Sequence, residues 1–244
     1  MEKPQAYTVT IVSKEQVGEH IYFVRFSLPE DKEIHFEAGQ TVMFKVPSGV
    51  NPDSIGVNRS MSIASSPSKT QELLMCHDTK PMGPFSKWTI QSKIGDTIDI
   101  IGPLGIFTLD KESPRNKILI ATGTGIAPFR SMLLDVFSNY ALSTIHYELF
   151  LYWGLRHETD IYWNDEFTDL AKRFPNFHYY LTLSQPQPSW SGLKGRVTAH
   201  LDTIIDTNAE YYLCGSNDMI REVKEKLLDA HVPKEQIKHE AFFT

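Results

Sequence analysis

Hydrophobic and polar positions follow two different rules along the chain. Between residues 7 and about 110, short apolar runs rich in β-branched and aromatic residues occur at 7–12, 21–26, 41–46, 60–64, 72–76 and 97–101, each bounded by Gly, Pro, Asn or Ser clusters. Such runs predict short strands, and their number and spacing predict a closed antiparallel barrel or a sandwich. One short helix is expected, opening near Gly83-Pro84-Phe85-Ser86 and carrying Trp88 and Ile90. Residues 110–116 (DKESPRN) are polar and contain Pro114, which marks a domain boundary. Beyond them the patterning alternates. Strands are expected at 118–121, 149–153, 177–183, 211–214 and 237–243, with helices at 128–138, 162–173, 197–204 and 217–230. That alternation predicts an α/β Rossmann-like domain, a parallel sheet covered on both faces, with ligands at the carboxyl ends of its strands.

The sharpest local signal is residues 117–133, KILIATGTGIAPFRSML. An apolar run (Ile118, Leu119, Ile120, Ala121) stops at Thr122 and passes through Gly123-Thr124-Gly125-Ile126-Ala127-Pro128. Apolar residues then return at helical spacing as Phe129, Met132, Leu133, Val136 and Phe137. Pro128 suits a first helical turn, where its missing N–H would be unpaired in any case. A strand, glycine turn and helix in this order can present backbone N–H groups and a helix dipole to a phosphate. A plain tight turn between strand and helix has the same signature.

Composition narrows the function classes. The 244 residues are 41% hydrophobic and 22% charged, which fits a globular protein. There are 11 basic and 14 acidic residues through Glu112, and 13 and 16 beyond it, so neither half is a basic module. Nucleic acid is excluded as a partner on that ground. No run of eighteen apolar residues is present, so no membrane span is expected, and the expected setting is the cytoplasm. Cys76 and Cys214 lie in different halves and cannot ligate an iron-sulfur cluster by themselves. None of the nine histidines has the i, i+4 spacing of a helical metal site, and no metal is expected. No Gly-x-Ser-x-Gly elbow points to nucleophilic catalysis.

Several polar residues are candidates for chemistry. Arg59-Ser60-Met61-Ser62 places Arg59 and Met61 on one side of a strand and the two serines on the other. Arg59 can clamp a phosphate with its planar fork of donors, or be a solvated surface charge. Gly83 to Ser86 can cradle a second phosphate at a helix start, or Ser86 can simply cap that helix. Cys214, after an apolar strand, reads by itself as a small buried hydrophobe sooner than as a site residue. Asp160, Asp165, Glu166 and Asp169 read as the solvated face of a helix whose buried side is Trp163, Phe167, Leu170 and Phe174.

The order of motifs says more than any one of them. Phe36-x-Ala38-Gly39-Gln40 comes first, followed by Arg59-Ser60-Met61-Ser62, Gly83-Pro84-Phe85-Ser86 and Gly102-Pro103-Leu104-Gly105-x-Phe107. Then come Thr122-Gly123-Thr124-Gly125-Ile126-Ala127-Pro128, Gly154-Leu155-Arg156, Cys214-Gly215-Ser216-Asn217-Asp218-Met219 and Glu240-Ala241-Phe242. This series resembles the ferredoxin-NADP reductase superfamily along nearly the whole chain. The resemblance implies a FAD-binding antiparallel β-barrel over 1–110, a linker at 111–116, and an NAD(P)-binding α/β domain over 117–244. It implies a flavoprotein reductase that passes hydride from NAD(P)H to FAD, and electrons on to a separate acceptor: a ferredoxin, flavodoxin, haem protein or free flavin. A flavin-binding electron-transfer or regulatory subunit without NAD(P)H turnover is the alternative.

Residue by residue, the resemblance implies that Arg59 holds flavin phosphates beside Ser60 and Met61, and that Ser62 hydrogen-bonds near flavin N5. Gly83, Pro84, Phe85 and Ser86 would bind the FAD pyrophosphate, with His77 among the flavin contacts. Met61 stands where the family usually has Tyr, a soft contact replacing an aromatic face. Thr122, Gly123, Thr124, Gly125, Ile126 and Pro128 would hold the NAD(P)H pyrophosphate. Cys214 would touch and align the nicotinamide with no covalent step, beside Gly215 and Met219, with Glu240 near the same ring. Phe242 or Phe243 would cover the flavin face or be a core aromatic. Many NADPH-using relatives carry Arg after the third strand, where this chain has Ser184-Gln185; with Arg156 as the other nucleotide contact, NADH is preferred over NADPH. The expected state is a monomer. Residues 102–107 read as a turn between barrel and linker.

Overall fold

Alternation of apolar and polar residues puts Tyr7, Val9 and Ile11 on one side of β1 (Gln5–Gln16), and all three are buried. The computed structural model describes residues 3–48, 56–80, 82–139 and 146–241. Five further strands follow: β2 (Ile21–Ser27), β3 (Thr41–Val46), β4 (Val57–Ser62), β5 (Glu72–Asp78) and β6 (Thr97–Leu104). They form one antiparallel sheet in the order β4-β3-β6-β1-β2-β5. The chain leaving β4 returns the sheet onto itself, for Ala64 N donates to Leu74 O on β5 at 2.8 Å.

One helix, α1 (Pro84–Gln91), closes this sheet's core. Phe85 and Trp88 are buried there, with the Phe85 ring 4.9 Å from Phe44 and 5.7 Å from Trp88. The last turn of α1 is held from outside. Lys14 Nζ, on β1, donates to the carbonyls of Thr89 at 2.8 Å and Ile90 at 3.0 Å, and also to that of Ser92. A cation there satisfies carbonyls left open at a helix end and complements the dipole.

The second sheet is parallel. It contains β7 (Lys117–Thr122), β8 (Leu149–Leu155), β9 (Phe177–Leu183), β10 (Leu193–Lys194), β11 (Glu210–Gly215) and β12 (Ile237–Ala241), in the order β10-β9-β8-β7-β11-β12. The connecting α-helices are α2 (Ile126–Asn139), α3 (Asn164–Arg173) and α4 (Asn217–Asp229). Strands β7 and β11 are buried almost end to end, as a doubly covered parallel sheet requires. The strand order reverses at β7, so the crevice for a ligand falls at the carboxyl ends of β7 and β11. At their opposite ends Lys117 and Glu210 form a buried ion pair at 3.1 Å.

Contacts divide the chain into two units, Met1–Leu109 with Ala127–Asn139, and Asp110–Ile126 with Tyr140–Thr244. In the first, Arg130 Nη1 donates to Ala64 O and Ser131 Oγ to Ser65 O, both at 2.7 Å, fastening α2 to the segment after β4. No helix among the described residues is long and apolar enough to cross a membrane.

Three local expectations need correction. Residues 197–204 do not form an α-helix but a 3-10 helix, Val197–Thr203. Val197, Thr198 and Thr203 are β-branched and weak helix formers, and Thr203 Oγ1 takes the His200 carbonyl at 2.8 Å. Gly102, Pro103 and Leu104 belong to β6 and not to a turn, and a Cβ at Gly102 would lie 2.6 Å from Val42 Cγ1, so glycine permits the strands' approach. Asp160 lies off the expected helix face. Its carboxylate accepts from His157 N at 3.0 Å in a turn before α3.

Candidate functional site

In the first unit, strand pairing sets the directions of the Arg-Ser-Met-Ser run. Arg59 is opposite Phe44 and Met61 opposite Val42, both core residues, so Arg59 and Met61 share the sheet's inner face. Met61 is buried in the barrel core, while Arg59 is exposed at the outer end of the same row. Ser60 is exposed and Ser62 is buried opposite Thr41.

Arg59 acts on His77. Burial, first, and then the Arg59 charge lower the imidazole to about 4, so His77 is neutral at physiological pH. Its Nε2 pairs with Ser86 Oγ at 3.2 Å, and its ring meets Phe85 edge-on at 4.8 Å. The structure therefore brings Arg59, His77, Phe85 and Ser86 together at the start of α1. Ser86 is not the cap of this helix. Gly83 is the N-cap residue, Pro84 opens the helix, and Ser86 is its third residue, buried against His77. Proline accounts for this frame, since it is tolerated where no N–H is needed.

The second unit builds its turn by close backbone approach. Residues Gly123–Gly125 form one 3-10 turn running straight into α2, and Gly123 has φ +54°, in the left-handed region. A Cβ on Gly125 would lie 2.2 Å from Cys214 O, and one on Gly215 would lie 2.2 Å from Thr122 Oγ1. These glycines let the exits of β7 and β11 touch. Ser216 N donates to Thr122 Oγ1 at 3.1 Å, and Trp153 Nε1 on β8 donates to Gly123 O at 3.0 Å. Trp153 and Lys14 were silent in the sequence. Trp153 reads there only as an apolar strand residue and Lys14 as one more surface charge.

Cys214 is fully buried, paired across the sheet with Ala121 and Glu240. Burial, and secondarily Glu240, pushes the thiol far up, so it stays protonated. A neutral thiol suits alignment and not nucleophilic attack. Met219 is buried in the sheet's core, and its N–H donates to Ser216 Oγ at 3.3 Å. Arg156, Ser184 and Gln185 meet at the exits of β8 and β9. Ser184 N donates to Leu155 O at 3.0 Å, Gln185 N to Arg156 O at 2.9 Å, and the three side chains are exposed. Phe242 and Phe243 lie outside the described residues.

The charge pattern at helix starts tests whether these sites fit phosphates. α3 opens with Asp165 and Glu166, and α4 opens with Asp218 and a Ser216 cap. α1 and α2 have no acidic residue in the first turn, and no side chain caps α1 or the turn leading into α2. Helix starts without an acid or a side-chain cap suit an external anion, and a Cβ at Gly83 or Gly123 would meet nothing within 4 Å. One such start in each unit fits a flavin diphosphate in the barrel and a second dinucleotide on the parallel sheet.

Comparison with known proteins places the chain among oxidoreductases that use a flavin and a pyridine nucleotide. Residues 8–109 match the oxidoreductase FAD-binding domain and residues 119–225 the oxidoreductase NAD-binding domain. The chain is 31% identical to ferredoxin–NADP reductase B of Sorangium cellulosum (strain So ce56), over 92% of both chains. It is 30% identical to the phenol hydroxylase P5 protein of Acinetobacter pittii (strain PHEA-2), covering 98% of this chain and 66% of that one. Its fold is similar to an Amycolatopsis cytochrome P450 reductase, with a TM-score of 0.86 at 24% identity, over 99% of this chain and 71% of that one. A ferredoxin NADP+ reductase from Neisseria gonorrhoeae with bound FAD and NADP matches over the full length of both chains, with a TM-score of 0.78 at 20% identity. The chain belongs to the ferredoxin-NADP reductase superfamily: it is an NAD(P)H-dependent flavoprotein reductase with FAD as its cofactor.

Proposed function

We propose that this reductase oxidises NADH in preference to NADPH and delivers the electrons to a separate acceptor protein. The observation that carries the donor and cofactor assignment is the pair of acid-free, uncapped helix starts, one per unit. Residues 1–110 would form the flavin domain, 111–116 the linker and 117–244 the nicotinamide domain.

Bound FAD supplies a centre that takes hydride and releases electrons singly or in pairs. The protein holds and orients the reactants. Arg59 and the N–H groups of α1 hold the flavin's diphosphate, and Ser62 offers a hydroxyl toward its ring. Thr122 to Gly125 holds the dinucleotide's pyrophosphate. Cys214 stays neutral and aligns the nicotinamide, with Gly215 and Glu240 beside it. No residue has to supply or remove a proton for the transfer itself.

The preference for NADH is supported by Gln185. A 2'-phosphate dianion is best matched by a guanidinium fork; the exit of β9 itself carries Ser184 and Gln185, and the guanidinium beside them is that of Arg156 at the exit of β8, which is assigned to the shared part of the nucleotide. A protein acceptor is supported by the names of the similar reductases. Exposed Met82, Ile90 and Ile94 beside Lys80, Lys87 and Lys93 give the region of α1 an apolar and basic surface suited to such docking. The proposed setting is the cytoplasm and the proposed state a monomer. Rapid mixing of the flavin-loaded protein with NADH and, separately, with NADPH tests the preference. NADH should reduce the flavin faster at equal concentration, and faster reduction by NADPH would overturn the role given to Gln185.

A further inference from the structure

The glycine turn at the end of β7 is fixed by a side chain from the neighbouring strand. Trp153 on β8 has no exposed surface, and its indole meets Tyr162 edge-on at 4.9 Å and Phe167 at 6.1 Å. Its one polar group, Nε1–H, donates to Gly123 O at 3.0 Å. The same carbonyl also accepts from Ile126 N, so both of its lone pairs are engaged. A trans peptide is planar, with its C=O and N–H pointing in opposite directions. Holding Gly123 O toward Trp153 therefore turns the N–H of Thr124 away from Trp153. Gly123, in the left-handed region and with open space at its Cβ position, has the freedom to let that peptide plane rotate. A backbone donor that must face an anion gains from a lock on that rotation.

We propose that Trp153 is a positioning residue for the dinucleotide: its indole N–H locks the Gly123–Thr124 peptide so that Thr124 N–H is presented to a pyrophosphate oxygen. This rests on the assignment of the turn to the NAD(P)H pyrophosphate. Without the lock, the turn must be ordered by the ligand itself, and affinity falls while transfer from the bound state is retained.

Trp153→Phe keeps an aromatic ring and removes the donor. It should raise KM for NADH about tenfold, the worth of one hydrogen bond to a charged group, and leave kcat within about twofold. Flavin content should stay close to wild type, while the thermal midpoint falls because the smaller ring leaves a cavity beside Tyr162 and Phe167. Replacement of Trp153 by benzothienylalanine keeps the bicyclic shape without the N–H, and it should give the same rise in KM even where the Phe variant folds poorly. Thr124→Glu, which sets a carboxylate beside the turn, reads the underlying assignment and should raise KM at least about fiftyfold by charge repulsion. An unchanged KM in Thr124→Glu would overturn the pyrophosphate assignment and the role of Trp153 with it. A raised KM in Thr124→Glu with an unchanged KM in the benzothienylalanine protein would overturn the role of Trp153 alone.

Discussion

The two glycine-containing helix starts answer one demand with different supports. At Thr122 to Gly125 the turn is squeezed within a sheet, with Cys214, Ser216 and Trp153 pressing on it from both neighbouring strands. At Gly83 to Ser86 a Cβ on the glycine would meet nothing within 4 Å. The helix behind it is held instead, by Phe85 and Trp88 in the core, by His77 at Ser86, and by Lys14 on its far carbonyls. The difference teaches where each site is fragile. The sheet turn depends on the absence of side-chain atoms, and the barrel site depends on what anchors its helix.

The largest effect that could break this contrast is expected at Gly125. Gly125→Val puts a branched carbon where even a Cβ lies 2.2 Å from the Cys214 carbonyl, and backbone must move to admit it. The variant should lose about 3 kcal/mol in chemical denaturation and lose NADH-driven flavin reduction, since overpacking at a close backbone contact is costly. Normal stability in this variant would mean that the two strand exits are not in contact.

An effect of similar size, confined to acid pH, is expected at His77. Its imidazole is held near 4 in the folded chain against 6.5 unfolded, so the unfolded chain binds more protons between those values. Stability is then fully present above about pH 6.5 and is lost as pH falls through about 4. Between pH 7 and pH 4 the wild type should lose about 3 kcal/mol more than His77→Gln, measured by urea denaturation across that range. Parallel pH profiles for the two proteins would mean that His77 titrates normally. The smallest effect is expected at Gly83, where φ is −84° and nothing stands near the Cβ position. Gly83→Ala should stay within about 0.5 kcal/mol of wild type in the same assay.

Most of the architecture was legible in the chain because burial writes itself into periodicity. The alternation of Tyr7, Val9 and Ile11 and the solid run from Ile118 to Ala121 each predict the kind of sheet they enter. Punctuation by Gly and Pro was equally readable at Gly83-Pro84 and at Gly123 to Pro128. Long-range partners were not. No local pattern says that Trp153 will bond the Gly123 carbonyl, that Lys14 will cap a helix some 75 residues on, or that Arg59 will depress His77. These depend on register and strand order, which a side chain's own neighbours in sequence do not encode. Of the two readings open for Ser86, the helix cap fails for a local reason, since Gly83 and Pro84 move the helix start ahead of it.

The central claim is that one chain carries a flavin site and a pyridine-nucleotide site that work together. Anaerobic titration of the flavin-loaded protein with NADH, followed by its visible absorption, tests it most directly. The flavin-loaded protein should be yellow, and its flavin absorption should bleach as stoichiometric NADH is added. A bound flavin that keeps its full absorption in excess NADH and in excess NADPH would contradict it.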